Sequence, residues 1–163
     1  MRCTLGGMLC LWIGFAVVLV IYCRNFWLYR TRNRPFPVPH PRNVGVLHRQ
    51  TCKVNFDAAV FWSSNSASLG VVMRDSSGAV IGALSVPTFL GSSVVELEAL
   101  ACLRAMQFAL EIGLTRVIFK GDSATVINAL RQGLGELTCY GNVLDDIRAH
   151  ISDFQFCDFN LVS

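Results

Sequence analysis

Several catalytic chemistries lack their characteristic residues in this chain of 163 residues. There is no Gly-x-Ser-x-Gly, no P-loop and no Gly-x-Gly-x-x-Gly after a strand. These absences exclude the nucleophile elbow of α/β-hydrolases and the usual nucleotide-binding loops. His40, His48 and His150 lie beside a proline-rich stretch or at a helix end, so a hydrolytic triad has no convincing base. The seven cysteines are scattered without a Cys-x-x-Cys, which argues against a zinc site or a catalytic thiol and favours a reducing compartment.

Acidic residues are absent from the first 50 positions, which carry seven arginines. All 11 acids lie in residues 51–163, together with the other seven of the 14 basic residues. The net charge of +3 is therefore the sum of about +7 and about −4 from two different regions. An acidic domain that acts on nucleic acid needs cations between itself and the phosphates, which fits a metal-dependent site better than simple electrostatic binding.

The N-terminal region, residues 1–34, is apolar with a basic flank. Its uncharged run 5–23 is just long enough to cross a bilayer as a helix, which makes it a candidate membrane anchor that leaves the domain in the cytosol. A targeting segment, or an extension added by an erroneous gene prediction, is the alternative, so localisation stays open between membrane, cytoplasm and nucleus. Alternating prolines predict a stiff linker over 35–50, followed by a folded domain over 51–163.

Hydrophobic periodicity predicts a mixed α/β domain with the element order β-β-β-α-β-α-α-β. The predicted elements are strands at 53–60, 69–74 and 80–87, a helix over 93–110, a strand at 116–120, helices at 123–131 and 143–150, and a strand at 154–162. A turn at Asp75-Ser-Ser-Gly joins the second and third strands. Ser93 and Glu96 form a capping box for the first helix. This order indicates a mixed sheet with helices packed on it.

Three carboxylates occupy positions from which strands and a facing helix would present them to a common point. Asp57 interrupts an apolar strand, where it either binds a cation or faces solvent on an edge. Glu98 lies about 200° around the helix from the capping Glu96, so it has no local role unless it is an ordinary exposed glutamate. Asp122 ends a strand and opens a helix, where capping and metal binding compete for it. Clustered acids of this kind hold divalent metal for phosphodiester chemistry.

From about Lys53 to Ser163 the chain resembles the RNase H-like superfamily, specifically plant RNase H type 1 domains related to those of retroelement reverse transcriptases. The matching stretches are KVNFDAAVF, LGVVMRDSSGAVIGA, VVELEALACLRAMQFALEIGL and VIFKGDSATVINAL. The resemblance implies that Asp57, Glu98 and Asp122 are the catalytic residues and hold two Mg²⁺ ions, with Mn²⁺ as the alternative ion. It also implies an endoribonuclease that binds RNA–DNA hybrids and cleaves their RNA strand, with little preference for sequence.

Relatives continue past the last strand into a phrase like Arg-Glu-x-Asn-x-x-Ala-Asp/His and a final helix that brings a fourth metal-site group. This sequence ends at Asn160-Leu-Val-Ser, so we expect an RNase H-like fold that lacks the C-terminal helix, and a site weakened by truncation. Two alternatives to the nuclease are a noncatalytic nucleic-acid-binding remnant of the fold and a membrane-tethered interaction protein. The sequence points to no protein partner.

Overall fold

The computed structural model describes residues 50–133 and 139–162 and, of the N-terminal region, only the backbone of four short strands. The domain contains β1 (Cys52–Phe61), a 3₁₀ turn (Trp62–Ser64), β2 (Ser66–Arg74), β3 (Val80–Phe89), α1 (Val94–Glu111), β4 (Arg116–Gly121), α2 (Ala124–Gln132), α3 (Gly141–Ile151) and β5 (Phe156–Leu161). The order β-β-β-α-β-α-α-β confirms the predicted fold class.

The domain strands lie side by side in the order β3-β2-β1-β4-β5. The first three form an antiparallel meander, whereas β1, β4 and β5 run parallel. The turn between β2 and β3 forms as predicted, because Oδ1 of Asp75 accepts hydrogen bonds from the Ser77 and Ala79 N–H groups, each at 2.9 Å. Gly78 completes the turn with a φ of +86°, which favours glycine.

Helix α1 begins at the predicted cap. Oγ of Ser93 accepts a hydrogen bond from the Glu96 N–H at 3.1 Å. The Glu96 carboxylate accepts from the Ser92 N–H at 2.7 Å, one residue earlier than an ordinary capping box would place the contact. Glu96 is thus committed to the helix start, while Glu98, on another side of the helix, remains available.

Alternation along β1 divides the sheet into two faces. Cys52, Val54 and Phe56 are buried on the face against which α1 packs, here called the helix face. Lys53 and Asp57 are exposed on the opposite face, here called the outer face. The face on which a strand residue lies therefore follows from the alternation of side chains along its strand.

The core of the helix face includes a cluster of three phenylalanines. The ring of Phe119 in β4 stacks on Phe159 in β5, with centroids 5.5 Å apart. Phe154 meets Phe119 edge to face at 5.6 Å. Phe154 was predicted to begin the last strand, but it lies in the turn before β5, where its ring reaches the core and is buried.

The N-terminal region differs from the predicted helix over 5–23. Segments Met8–Trp12 and Val17–Ile21 are paired antiparallel strands, and the second is rich in β-branched residues that favour strands. In the parts of the chain that the structure describes, no helix has the length and apolar character needed to span a membrane. Tyr29–Arg30 pairs in parallel with β3. Apart from Gln50, the predicted linker lies outside the described residues.

Candidate metal centre

Asp57 and Asp122 come from neighbouring parallel strands. The pairing of β1 with β4 ends at Asn55 and Lys120, and each aspartate lies two residues further along its chain. In β2, Gly70 is the residue opposite Asp57. Both aspartates are exposed. They therefore stand next to each other at the point where the two strands separate, with their carboxylates accessible from solvent.

The helix cap that was one explanation for Asp122 is supplied by its neighbour. Ser123 is the N-cap of α2, and its Oγ accepts a hydrogen bond from the Val126 N–H at 3.4 Å. Capping by the residue that follows leaves the Asp122 carboxylate available for the site. The sequence left Asp122 with two possible roles, helix cap or metal ligand. In the structure Ser123 is the cap, so of these two only the role of metal ligand remains open to Asp122.

Glu98 reaches the aspartates from the helix face. Its side chain projects from the second turn of α1 and is only 6% exposed. One oxygen, Oε1, accepts a hydrogen bond from the backbone N–H of Ala58 at 3.3 Å, which ties the helix to β1 beside Asp57. The other oxygen, Oε2, is buried and has no hydrogen-bond partner in the described structure. A buried carboxylate oxygen without a hydrogen-bond donor is unfavourable when Glu98 is ionised, and a bound cation would relieve that cost.

The structure brings all three predicted acids together. One carboxylate oxygen from each of Asp57, Glu98 and Asp122 lies within 4.8 Å of the others. Burial, followed by the negative charges of Asp57 and Asp122, raises the pKa of Glu98 from 4.5 to about 7. Burial and the nearby Asp122 also raise the pKa of Asp57. These groups repel one another when all are ionised, and a cation between them removes that repulsion.

This donor set fits a divalent metal ion. Carboxylate oxygens are the ligands preferred by hard cations such as Mg²⁺ and Mn²⁺. The exposed aspartates leave room for water and substrate on one side, while Glu98 closes the other side with its unpaired oxygen. The cluster is therefore suited to hold metal and to leave coordination positions open.

Sequence reasoning did not identify two contributors to this arrangement. The Ala58 N–H orients Glu98, but a backbone contact leaves no mark on the side-chain pattern. Gly121, directly before Asp122, packs against the ring of Phe56. A glycine immediately before a candidate ligand is a signal that could have suggested a close approach at this point.

The geometry agrees with comparisons to solved structures. RNase H1 from the archaeon Halobacterium salinarum NRC-1 superposes with a TM-score of 0.62 at 18% identity, over 69% of this chain and 85% of that one. The N-terminal RNase H domain of rv2228c from Mycobacterium tuberculosis gives a TM-score of 0.61 at 14% identity, over 69% and 87%. LC11-RNase H1, solved with an RNA/DNA hybrid, gives 0.59 at 17% identity, over 68% and 84%.

These likenesses define an RNase H-like fold, a mixed sheet with helices packed on it. The chain belongs to the reverse transcriptase-like family, which matches residues 55–163. Among curated proteins, the sequence finds no match. The RNase H-like resemblance in the sequence is thereby confirmed.

Proposed function

We propose that this chain is a metal-dependent endoribonuclease that cleaves the RNA strand of RNA–DNA hybrids. The observation that carries the proposal is the convergence of Asp57, Glu98 and Asp122 within 4.8 Å, with one buried Glu98 oxygen left unpaired. A purely structural cluster would satisfy that oxygen from within the protein. The repulsion between three acids held close together is better explained if a bound cation offsets it.

The proposed ligand is a pair of Mg²⁺ ions, with Mn²⁺ as the alternative. Bound metal would supply activation of the attacking water and stabilisation of the leaving oxygen. Asp57, Glu98 and Asp122 would hold the ions through their carboxylate oxygens. The hydrogen bond from Ala58 holds Glu98 in place before substrate arrives, so little reorganisation is needed at the site.

The choice of substrate is supported by the fold. The similar LC11-RNase H1 was solved in complex with an RNA/DNA hybrid. Such a duplex can be recognised by its shape and by the 2′-hydroxyl groups of one strand in the minor groove. We therefore expect cleavage to depend on duplex type and very little on base sequence.

A panel of duplexes tests this proposal. The chain is incubated with Mg²⁺ and end-labelled RNA–DNA, RNA–RNA and DNA–DNA duplexes of one sequence, and the products are resolved by length. We expect shortened RNA from the hybrid alone, because only the hybrid joins a scissile RNA strand to a DNA partner. Intact RNA in all three duplexes, with protein that is folded by circular dichroism, contradicts the proposal.

A further inference from the structure

The outer face of the sheet carries an unequal share of the domain's positive charge. Of the seven basic residues in 51–163, four lie on this face by strand parity and register. They are Lys53, Arg74, Arg116 and Lys120. Arg116 packs on the Phe156 ring, with its guanidinium carbon 5.3 Å from the ring centroid. The other three, here called the cation strip, have no such contact with an aromatic ring in the described part of the chain.

Two members of the cation strip occupy electrostatically unfavourable positions. Lys53 and Arg74 are directly opposite each other on the antiparallel strands β1 and β2, and both are exposed. Like charges at opposed positions destabilise a sheet. Among residues 50–133 and 139–162, no carboxylate lies within ion-pair distance of Lys53, Arg74 or Lys120.

Two of the three basic residues on the helices pair with carboxylates, and the third, Arg131, donates a hydrogen bond to the Asn160 side chain. Arg104 pairs with Glu111 at 2.8 Å, and Arg148 pairs with Asp145 at 2.8 Å. In the described residues, carboxylates thus pair with two helix arginines and with none of the three residues of the cation strip. Asp158 does lie on the outer face, but its oxygens accept hydrogen bonds from the Phe159 N–H and the Asn160 side chain.

The cation strip is continuous with the acidic cluster. Lys120 precedes Asp122 by two residues and Lys53 precedes Asp57 by four, on neighbouring strands. At about 3.3 Å per residue, the two cations stand roughly 7 and 13 Å from the carboxylates along the strands. Residues 1–50 contain no acid, so the N-terminal region has no carboxylate with which to neutralise the strip.

We propose that Lys53, Arg74 and Lys120 bind the phosphate backbone of the nucleic-acid substrate where it leaves the carboxylate cluster. This inference rests on the proposed function and adds the direction in which the substrate runs, across β4, β1 and β2 of the outer face. Cations that lack acidic partners suit a polymer with one negative charge per unit. The strip also offsets the negative charge of the domain where the substrate must approach its metal site.

Binding measurements on a noncleaving parent test the strip. The parent carries Asp57→Asn, and its affinity for a labelled RNA–DNA hybrid in Mg²⁺ is followed by fluorescence anisotropy over a range of KCl concentrations. Adding Lys53→Gln and Arg74→Gln should weaken binding roughly tenfold at about 0.1 M salt. It should also reduce the slope of log affinity against log salt by about 1 to 2, since each lost phosphate contact removes about 0.9.

The matched control adds Arg104→Gln and Arg148→Gln to the same parent, which removes the same charge from the helices. Its affinity and salt slope should stay near those of the parent. Equal effects of the two double variants, or no effect of either, would overturn the assignment of the strip while leaving cleavage by the natural chain intact. Failure of that chain both to bind and to cleave the hybrid overturns the proposed function as well.

Thermal unfolding checks that the strip variant is folded. Because Lys53 and Arg74 repel each other, their replacement should not lower the melting temperature.

Discussion

The ring of Phe56 lies so close to the α-carbon of Gly121 that a Cβ at position 121 would stand 2.5 Å from the Cε2 and Cζ atoms of the ring. Each of these residues directly precedes one of the clustered aspartates, Asp57 or Asp122. Phe56 is buried, so its ring has little space into which to retreat. The contact therefore sets how closely the two aspartate-bearing strands approach each other.

Replacement of Gly121 by alanine should disturb the site through this contact. The added methyl group must push the Phe56 ring or separate the strands, at a cost of about 1 to 3 kcal/mol in the free energy of unfolding. The aspartates should then be further apart, and affinity for Mn²⁺ should fall by more than tenfold. Urea denaturation and calorimetric titration with Mn²⁺ measure the two effects.

The control for that variant is a second substitution at the contacting ring. Phe56→Leu removes the ring atoms that the new methyl group would meet, so the double variant should regain much of the lost Mn²⁺ affinity. Phe56→Leu alone should cost about 1 kcal/mol by leaving a small cavity. Metal affinity that is unchanged in Gly121→Ala, or that Phe56→Leu does not restore, contradicts a positioning role for the contact.

The raised pKa of Glu98 predicts the pH dependence of stability without metal. Between pH 4.5 and about 7 the folded protein holds a proton on Glu98 that the unfolded chain has lost. The free energy of unfolding should therefore fall as pH rises through this range, by at most roughly 3 kcal/mol from this group. Glu98→Gln should flatten the profile measured by urea denaturation in EDTA, while Asp146→Asn on α3 should retain it. A profile of equal steepness in Glu98→Gln would refute this account of the buried carboxyl group.

Divalent metal should stabilise the folded chain at a pH above 7, where Glu98 has lost its proton. A ligand present at 100 times its dissociation constant adds about 2.7 kcal/mol to the free energy of unfolding. The melting temperature should therefore rise with Mg²⁺ or Mn²⁺ and return to its starting value with EDTA. Asp122→Asn should reduce the shift, since it removes one ligand. An equal rise in both proteins would mean that the ions bind elsewhere.

The N-cap of α1 should contribute to stability independently of the site. Ser93→Ala removes the hydrogen bond to the Glu96 N–H and should cost about 1 kcal/mol. The same substitution at the exposed Ser63 serves as the matched control and should have little effect on the denaturation midpoint. Equal midpoints for the two variants would show that the cap is dispensable.

Local signals in the sequence were sufficient for most of the domain. The Asp75 turn and the Ser93 cap depend on residues within a few positions of one another, so their chemistry is visible in the sequence. The separation of Glu98 from Glu96 followed from helical periodicity alone. Local signals left Asp122 open between a helix cap and a metal ligand, because both Asp122 and the neighbouring Ser123 can cap, and only the three-dimensional structure distinguishes the two.

Tertiary contacts could not be predicted in this way. The Phe56 and Gly121 contact joins residues on strands that are far apart in sequence, and its closeness depends on the packing of the whole helix face. Burial of Phe154 before β5 likewise depends on Phe119. In the N-terminal region, apolar character alone suggested a helix, while the strand preference of the β-branched run 17–21 was overlooked.

Cleavage of a hybrid by Asp57→Asn, compared with the natural chain and with Asp146→Asn, tests the central claim most directly. Asp146 is an exposed acid on α3, so its replacement changes net charge equally without touching the cluster. In Mg²⁺, the natural chain and Asp146→Asn should cleave the RNA strand at similar rates, whereas Asp57→Asn should be at least 100-fold slower, in line with the loss of a group that stabilises the transition state. Equal rates for all three folded proteins would contradict the assignment of the carboxylate cluster as the nuclease site.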